Sequence, residues 1–266
     1  MSISITTDDD YTQFKRLITP LVPMDLNDYK QQQMERRIRD LARKNGADSL
    51  VQFAQMLRDD RRLLRTFESH VTINVSEFFR NVEPFNYLGD PVLSGLVALG
   101  KPLTIWSAGC SYGAEPMTFA MILSELNPSL RHTIHATDID PDMLAKARSG
   151  TGFSPADVQG LPKTLRARYM KQIGDDWAVS DDLVKRIKFA PQNLLKDPAP
   201  ARNCDLVACR NVVIYFTDEA KSRLYKTFAD SLRPGGYLFI GATEVVSGAA
   251  SFGLRYVAPC FYQKEV

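Results

Sequence analysis

Polar and apolar positions follow two regimes along this chain, and the change falls near residue 90. Before it, apolar residues recur at helical spacing and no stretch alternates well enough to predict a strand. The stretch 10–20 predicts a short helix stopped by Pro20, and 27–45 a longer one opened by Asn27 as N-cap and closed by Asn45-Gly46. Within the second, Met34, Ile38 and Leu41 fall at i, i+4, i+7 and form a core stripe. Arg36, Arg39 and Arg43 fall at i, i+3, i+7 on the opposite face. Stretches 48–58 and 60–70 predict two further helices, giving a small all-helical N-terminal domain with one basic face.

From residue 91 strands and helices alternate. KPLTIWSAGC is a strand entering a turn, EPMTFAMILSEL a helix, HTIHATDID a second strand and PDMLAKARSG a second helix. A helix around 162–171 and a stretch of β-like alternation (WAVSDDLVKRIKFA) follow, then the buried strand CDLVACR. TDEAKSRLYKTFADSL is amphipathic, Pro234-Gly235-Gly236 marks a turn before the strand YLFIGATE, and LRYVAPCFYQK predicts a closing strand pair. Such alternation predicts an α/β, doubly wound sheet, mostly parallel, with helices on both faces.

Composition narrows the function. Of 266 residues 44% are hydrophobic and 24% charged, which is globular composition, and a net charge of +2 gives no bulk signature for nucleic acid. No apolar run approaches the ~20 residues of a membrane span, and residues 1–14 carry no export signal. Cys110, Cys204, Cys209 and Cys260 lack C-x-x-C spacing and are expected to be reduced thiols of a cytoplasmic protein. His132 and His135 lie three apart on a strand, hence on opposite faces, so no metal site is expected.

Ligands of open α/β sheets lie beyond the C-terminal strand ends, so those turns should carry the chemistry. In WSAGCSYGAEP (106–116), Gly109 and Gly113 allow close approach to the backbone or serve tight packing. Asp138 and Asp140 end the second strand. Asp138 is placed to accept from the ribose hydroxyls of a nucleoside, and Asp140 to cap the helix at Pro141. GCSYG also fits the G-x-S-x-G nucleophile elbow, but the triad would need a histidine well downstream of Ser111. Only His132 and His135 follow it, both in the next strand.

These stretches, taken with VTINVSEFFRN (71–81), ATDIDPDMLAKARSG (136–150), QNLL (192–195), CRNVVIYF (209–216) and LRPGGYLFIGATE (232–244), make the chain resemble CheR-type chemotaxis receptor methyltransferases over nearly its whole length. The resemblance implies a methyltransferase fold that binds S-adenosylmethionine (SAM) and its product S-adenosylhomocysteine (SAH), with a small β-subdomain insert around 171–190. It implies a substrate-docking domain over 1–75, a linker over 76–90 that contributes to the cofactor site, and a SAM-dependent domain over 91–266. Asn74, Ser76 and Arg80 would fold over the methionine end of SAM. Glu115 and Asp138 would hold its nucleoside and amino-acid portions, Asn193 and Leu194 the adenine, and Asn211 and Val212 the floor. Ser76 stands where the family usually has threonine. Tyr112 and Ala114 depart from the family's G-C-S-T-G-E-E-P.

The implied activity is glutamate methyl esterification on the cytoplasmic helices of chemotaxis receptors. A glutamate with pKa near ~4.3 is ionised at neutral pH and needs no general base, which agrees with a site lacking histidine and metal. Arg80 is expected to orient the carboxylate and Tyr215 to donate its hydroxyl to it. Two alternatives stay open: a SAM-binding sensor or scaffold without transfer, and an enzyme for small molecules. In the insert, Trp177, Val179, Leu183 and the alternation at 184–189 predict short strands. The compact connection Gly174-Asp175-Asp176 predicts no binding of a C-terminal receptor pentapeptide tether.

Overall fold

The computed structural model describes residues 7–72 and 74–265, so residues 1–6 of the stretch searched for an export signal lie outside the described residues. The chain forms two compact units. One takes the residues up to Asn74 with Tyr215–Lys221, the other Val75–Ile214 with Ser222–Val266.

The first unit contains α1 (Thr7–Ile18), α2 (Gln31–Lys44), α3 (Leu50–Asp59) and α4 (Arg61–Thr72). The stripe of Met34, Ile38 and Leu41 is buried, and the rings of Phe14, Phe53 and Phe67 meet with centroids 5.9–6.2 Å apart. Helix α3 opens with a reciprocal cap. Ser49 Oγ accepts the Gln52 N–H at 3.1 Å, and Gln52 Oε1 accepts the Asp48 N–H at 2.7 Å.

One expectation for this unit is corrected and a second is narrowed. Asn27 does not cap α2, because Asp25 accepts its backbone N–H at 2.9 Å and starts a separate 3₁₀ turn, Leu26–Asp28. Tyr29 then pairs with Phe216 as an isolated antiparallel bridge, and Lys30 N–H donates to the Tyr215 carbonyl at 2.9 Å. These contacts delay α2 to Gln31. The arginine stripe is only partly neutralised: Arg39 pairs with Asp10 and Glu35 and Arg43 with Asp40, while Arg36 is exposed.

In the second unit, α5 (Val82–Tyr87) and α6 (Ser94–Val97) precede β1 (Thr104–Ala108), α7 (Ala114–Leu126), β2 (Thr133–Asp138) and α8 (Pro141–Ser149). Then come α9 (Lys163–Tyr169), β3 (Met170–Ile173), β4 (Asp176–Val179), α10 (Asp181–Val184), β5 (Ile187–Pro191) and β6 (Cys204–Cys209). Helix α11 (Asp218–Ser231), β7 (Leu232–Ile240), β8 (Leu254–Ala258) and β9 (Phe261–Lys264) complete the order.

The main sheet runs β5-β2-β1-β6-β7-β9-β8, parallel up to β7 and antiparallel after it, as the alternation predicts. Strand β6 is buried at every position and α7 along Pro116–Ser124, so both are predominantly apolar all round instead of striped. Asp140 caps α8 as expected, accepting the Asp142 and Met143 N–H groups at 2.9 and 3.2 Å.

The insert is smaller than expected. It is one antiparallel hairpin, β3–β4, turning at Gly174 and Asp175. The alternation near 187 does form a strand, but β5 pairs in parallel with β2 at the edge of the main sheet, and Leu183 lies in α10. An edge strand with one wet face alternates whichever neighbour it takes, so its pattern does not name its partner. The Pro-Gly-Gly turn is absorbed within β7, where the pairing shifts register opposite Cys204 and Leu206.

Candidate active site

Four parallel strands, β5, β2, β1 and β6, end side by side, so the turns that follow them share one edge of the sheet. The turn after β1 is tied to β2 by Gly109 and Cys110, which both donate their N–H to the Thr137 carbonyl, at 2.8 and 2.9 Å. Gly109 has φ +75°, and a Cβ there would lie 2.6 Å from Val212 Cγ2, in the turn after β6. Gly113 has φ +91°, and its Cβ would press Ala147 of α8 at 3.0 Å. Of the two roles open to these glycines, packing is the one their neighbours demand.

Buried charge gathers at the same edge. Asp138 accepts the Ser111 N–H at 2.7 Å and the Asp140 N–H at 2.9 Å; burial still raises its pKa above the usual carboxylate range. Glu115, in the first turn of α7, accepts the Ser107 hydroxyl at 2.8 Å and lies 3.5 Å from the Arg210 guanidinium. Burial raises its pKa, and the Arg210 charge works against that rise. Arg210 lies over the rings of Phe85 and Phe239, 4.8 and 4.6 Å from their centroids, and donates to the Arg80 carbonyl at 2.7 Å. Glu244 accepts the Gly241 N–H at 2.6 Å, and burial raises its pKa too.

A cleft here is lined on one side by Val75, Ser76, Glu77 and Arg80, and elsewhere by Gly109, Cys110, Glu115, Arg210 and Asn211. The structure therefore brings Ser76, Arg80, Glu115 and Asn211 to one place. Asp138 joins them through Ser111, and Val212 through its contact with Gly109. Asn193 and Leu194 follow β5 at the same edge, where the Gln192 N–H donates to the Asp138 carbonyl at 2.9 Å. Asn74 and Tyr215 belong to the other unit, where the Asn74 amide donates to Ser69 and Thr72 and the Tyr215 carbonyl accepts from Lys30.

Sequence reasoning missed Arg210 and Glu244. The available signal was positional: each is a charged residue just past an apolar strand, in CDLVACR and YLFIGATE.

Residues 74–254 match the family described as CheR methyltransferase, SAM binding domain, and residues 9–72 match CheR methyltransferase, all-alpha domain. The chain belongs to the CheR methyltransferase family. It is 37% identical to a chemotaxis protein methyltransferase of Listeria innocua, over 96% of this chain and 97% of the relative. It is 35% identical to one of Vibrio parahaemolyticus over 93% of each chain, and 30% identical to one of Borreliella burgdorferi over 100% of this chain and 97% of the relative.

The cofactor of this SAM-binding domain is S-adenosylmethionine, and the cleft fits it. The buried atoms Ser111 Oγ and Asn211 Oδ1 have no protein partner, and the carboxylates of Asp138 and Glu115 stand at the same edge. No helix among the described residues is long and apolar enough to cross a membrane, and no group of side chains among them is arranged to hold a metal.

Proposed function

We propose that this CheR family member methyl-esterifies glutamate side chains on the cytoplasmic helices of chemotaxis receptors. Bound SAM supplies an electrophilic methyl carbon on a sulfonium. The observation that carries the reading is Arg80, at the cleft wall. Its guanidinium has one long contact, 3.5 Å to the Val75 carbonyl, and no ion pair among the described residues. That leaves a planar fork free to hold an incoming carboxylate, which arrives ionised and asks for no base.

The two buried charged side chains of the cleft are engaged with each other: Glu115 is held by Ser107 and Arg210, and Arg210 by Glu115 and the Arg80 carbonyl. Ser76, Asp138, Asn193, Leu194, Asn211 and Val212 are the proposed cofactor contacts at the strand ends, with Asn74 and Arg80 in the preceding segment. Tyr215 is the proposed donor to the acceptor carboxylate. Positioning and exclusion of water are the chain's contribution to the rate.

The relatives' names speak of chemotaxis, which supports a receptor as the partner. We also propose that no receptor pentapeptide tether is needed. One edge of the insert hairpin is already taken, because Phe153 exchanges both main-chain bonds with Trp177 and Gly150 accepts from Val179.

Methyl-labelled SAM with receptor signalling fragments tests the reading: label should appear on the fragments and be released by base. Arg80→Ala and Tyr215→Phe should each slow transfer, on the order of 10²-fold for the arginine, without unfolding the chain. No label, or base-stable label, refutes glutamate esterification, and wild-type turnover by Tyr215→Phe makes Tyr215 a packing residue.

A further inference from the structure

Tyr112 is the residue of the turn after β1 that departs from the family pattern toward a larger side chain. It is not among the residues lining the cleft. We infer that Tyr112 is a positioning residue for the cofactor, its hydroxyl latching the 75–80 segment to the turn after β1. The inference rests on reading the cleft between them as the SAM site.

The latch is built from both main-chain groups of one residue. Tyr112 Oη donates to the Ser76 carbonyl and accepts the Ser76 N–H at 3.2 Å. Ser76 is 7% exposed and lies outside any helix or strand, so without that hydroxyl its N–H and carbonyl lose the partner that satisfies them. Asp157 Oδ1 lies 2.9 Å from the same hydroxyl, a second acceptor competing for its single proton. Asp157 is itself fixed: its Oδ2 accepts the Ser154 N–H at 2.8 Å, and its carbonyl accepts the Phe78 N–H at 2.9 Å. One side chain thus joins three backbone segments.

The ring is held as firmly as the hydroxyl. Lys146 Nζ sits 4.2 Å from its centroid, and the Phe153 ring lies 6.1 Å away, itself in edge contact with Phe78 at 4.9 Å. Burial pushes the phenol up to about 12, so at neutral pH it keeps the proton it donates. A threonine hydroxyl, attached directly to Cβ, does not extend as far from the turn.

The consequence falls on the cleft wall. Val75, Ser76, Glu77 and Arg80 face Gly109, Cys110 and Glu115, and Tyr112 fastens the first group to the segment carrying the second. Releasing Ser76 lets this wall hydrate and loosens the cofactor.

Tyr112→Phe keeps the ring and its Lys146 and Phe153 contacts while removing the hydroxyl. Amide exchange over 75–80 in the ligand-free protein should speed up, and the Kd for SAH and the KM for SAM should rise about tenfold, the change expected for ~1.4 kcal/mol of lost hydrogen bonding. Asp157→Asn, whose amide still meets the hydroxyl, should stay within about twofold of wild type.

Unchanged exchange and SAH affinity in Tyr112→Phe overturn the latch, whatever happens to thermal stability. So does a larger loss in Asp157→Asn than in Tyr112→Phe. If the wild-type protein binds neither SAM nor SAH, the reading of the cleft fails instead, and the exchange comparison still decides whether Tyr112 holds the segment.

Discussion

A surface pair of the helical unit and the buried pair of the α/β cleft spend charge in opposite ways. In the helical unit, Arg43 and Asp40 pair with side chains 72% and 48% exposed; in the α/β unit, Arg210 and Glu115 pair at 3% and 13%. A surface pair gains little and costs little to make, because water already solvates both partners. A buried pair must offset a large desolvation penalty, and removing one partner strands the other. Depth alone does not name a ligand site, since Arg233 and Asp205 pair at 20% and 6% exposure without lining the cleft; Arg210 and Glu115 are set apart by lining it. Charge on a helix face, however regular its spacing, marks nothing by itself.

The sharpest way to break this contrast is Glu115→Ala. It leaves the Arg210 guanidinium buried without its carboxylate, and the expected loss of unfolding free energy is about 3–5 kcal/mol in denaturant titration. A loss no larger than that of a surface variant would collapse the distinction between the units. Asp138→Ala should come next, weakening SAH binding by about 1–3 kcal/mol in calorimetry as a buried acceptor is lost. Full affinity in that variant would remove Asp138 from the cofactor site. The smallest effect belongs to Arg43→Ala, expected to change stability by less than ~0.5 kcal/mol at any salt concentration.

What could be read from residues alone follows the same division. The βα alternation, the glycine turn after β1 and the Asp140 cap are local events, written within a few residues of where they act. The start of α2 is not local. Asn27 is a sound N-cap by type, but Asp25 captures its N–H, and the pairing of Tyr29 with Phe216 crosses most of the chain.

Strand β5 shows the limit of periodicity in another way, since the alternation near 187 predicts a strand without telling whether β4 or β2 will receive it. Arg210 was hidden for a third reason. Its role comes from Phe85, Phe239, Glu115 and the Arg80 carbonyl, which converge only after the sheet has formed. Ser76, Arg80, Glu115 and Asn211 reached one cleft because family likeness fixes positions in a motif, which composition cannot do.

Cys110 adds a point about chemoselectivity. It borders the cleft, and sulfur is intrinsically a better nucleophile toward carbon than a carboxylate oxygen. Only the thiolate has that advantage. Burial, reinforced by the negative charge of Asp138 and Glu115, pushes the Cys110 pKa well above its ordinary value, so the thiol keeps its proton. With SAM bound as proposed, the same acids would also keep the protein from alkylating itself and leave the proposed acceptor carboxylate without a rival at the electrophilic carbon.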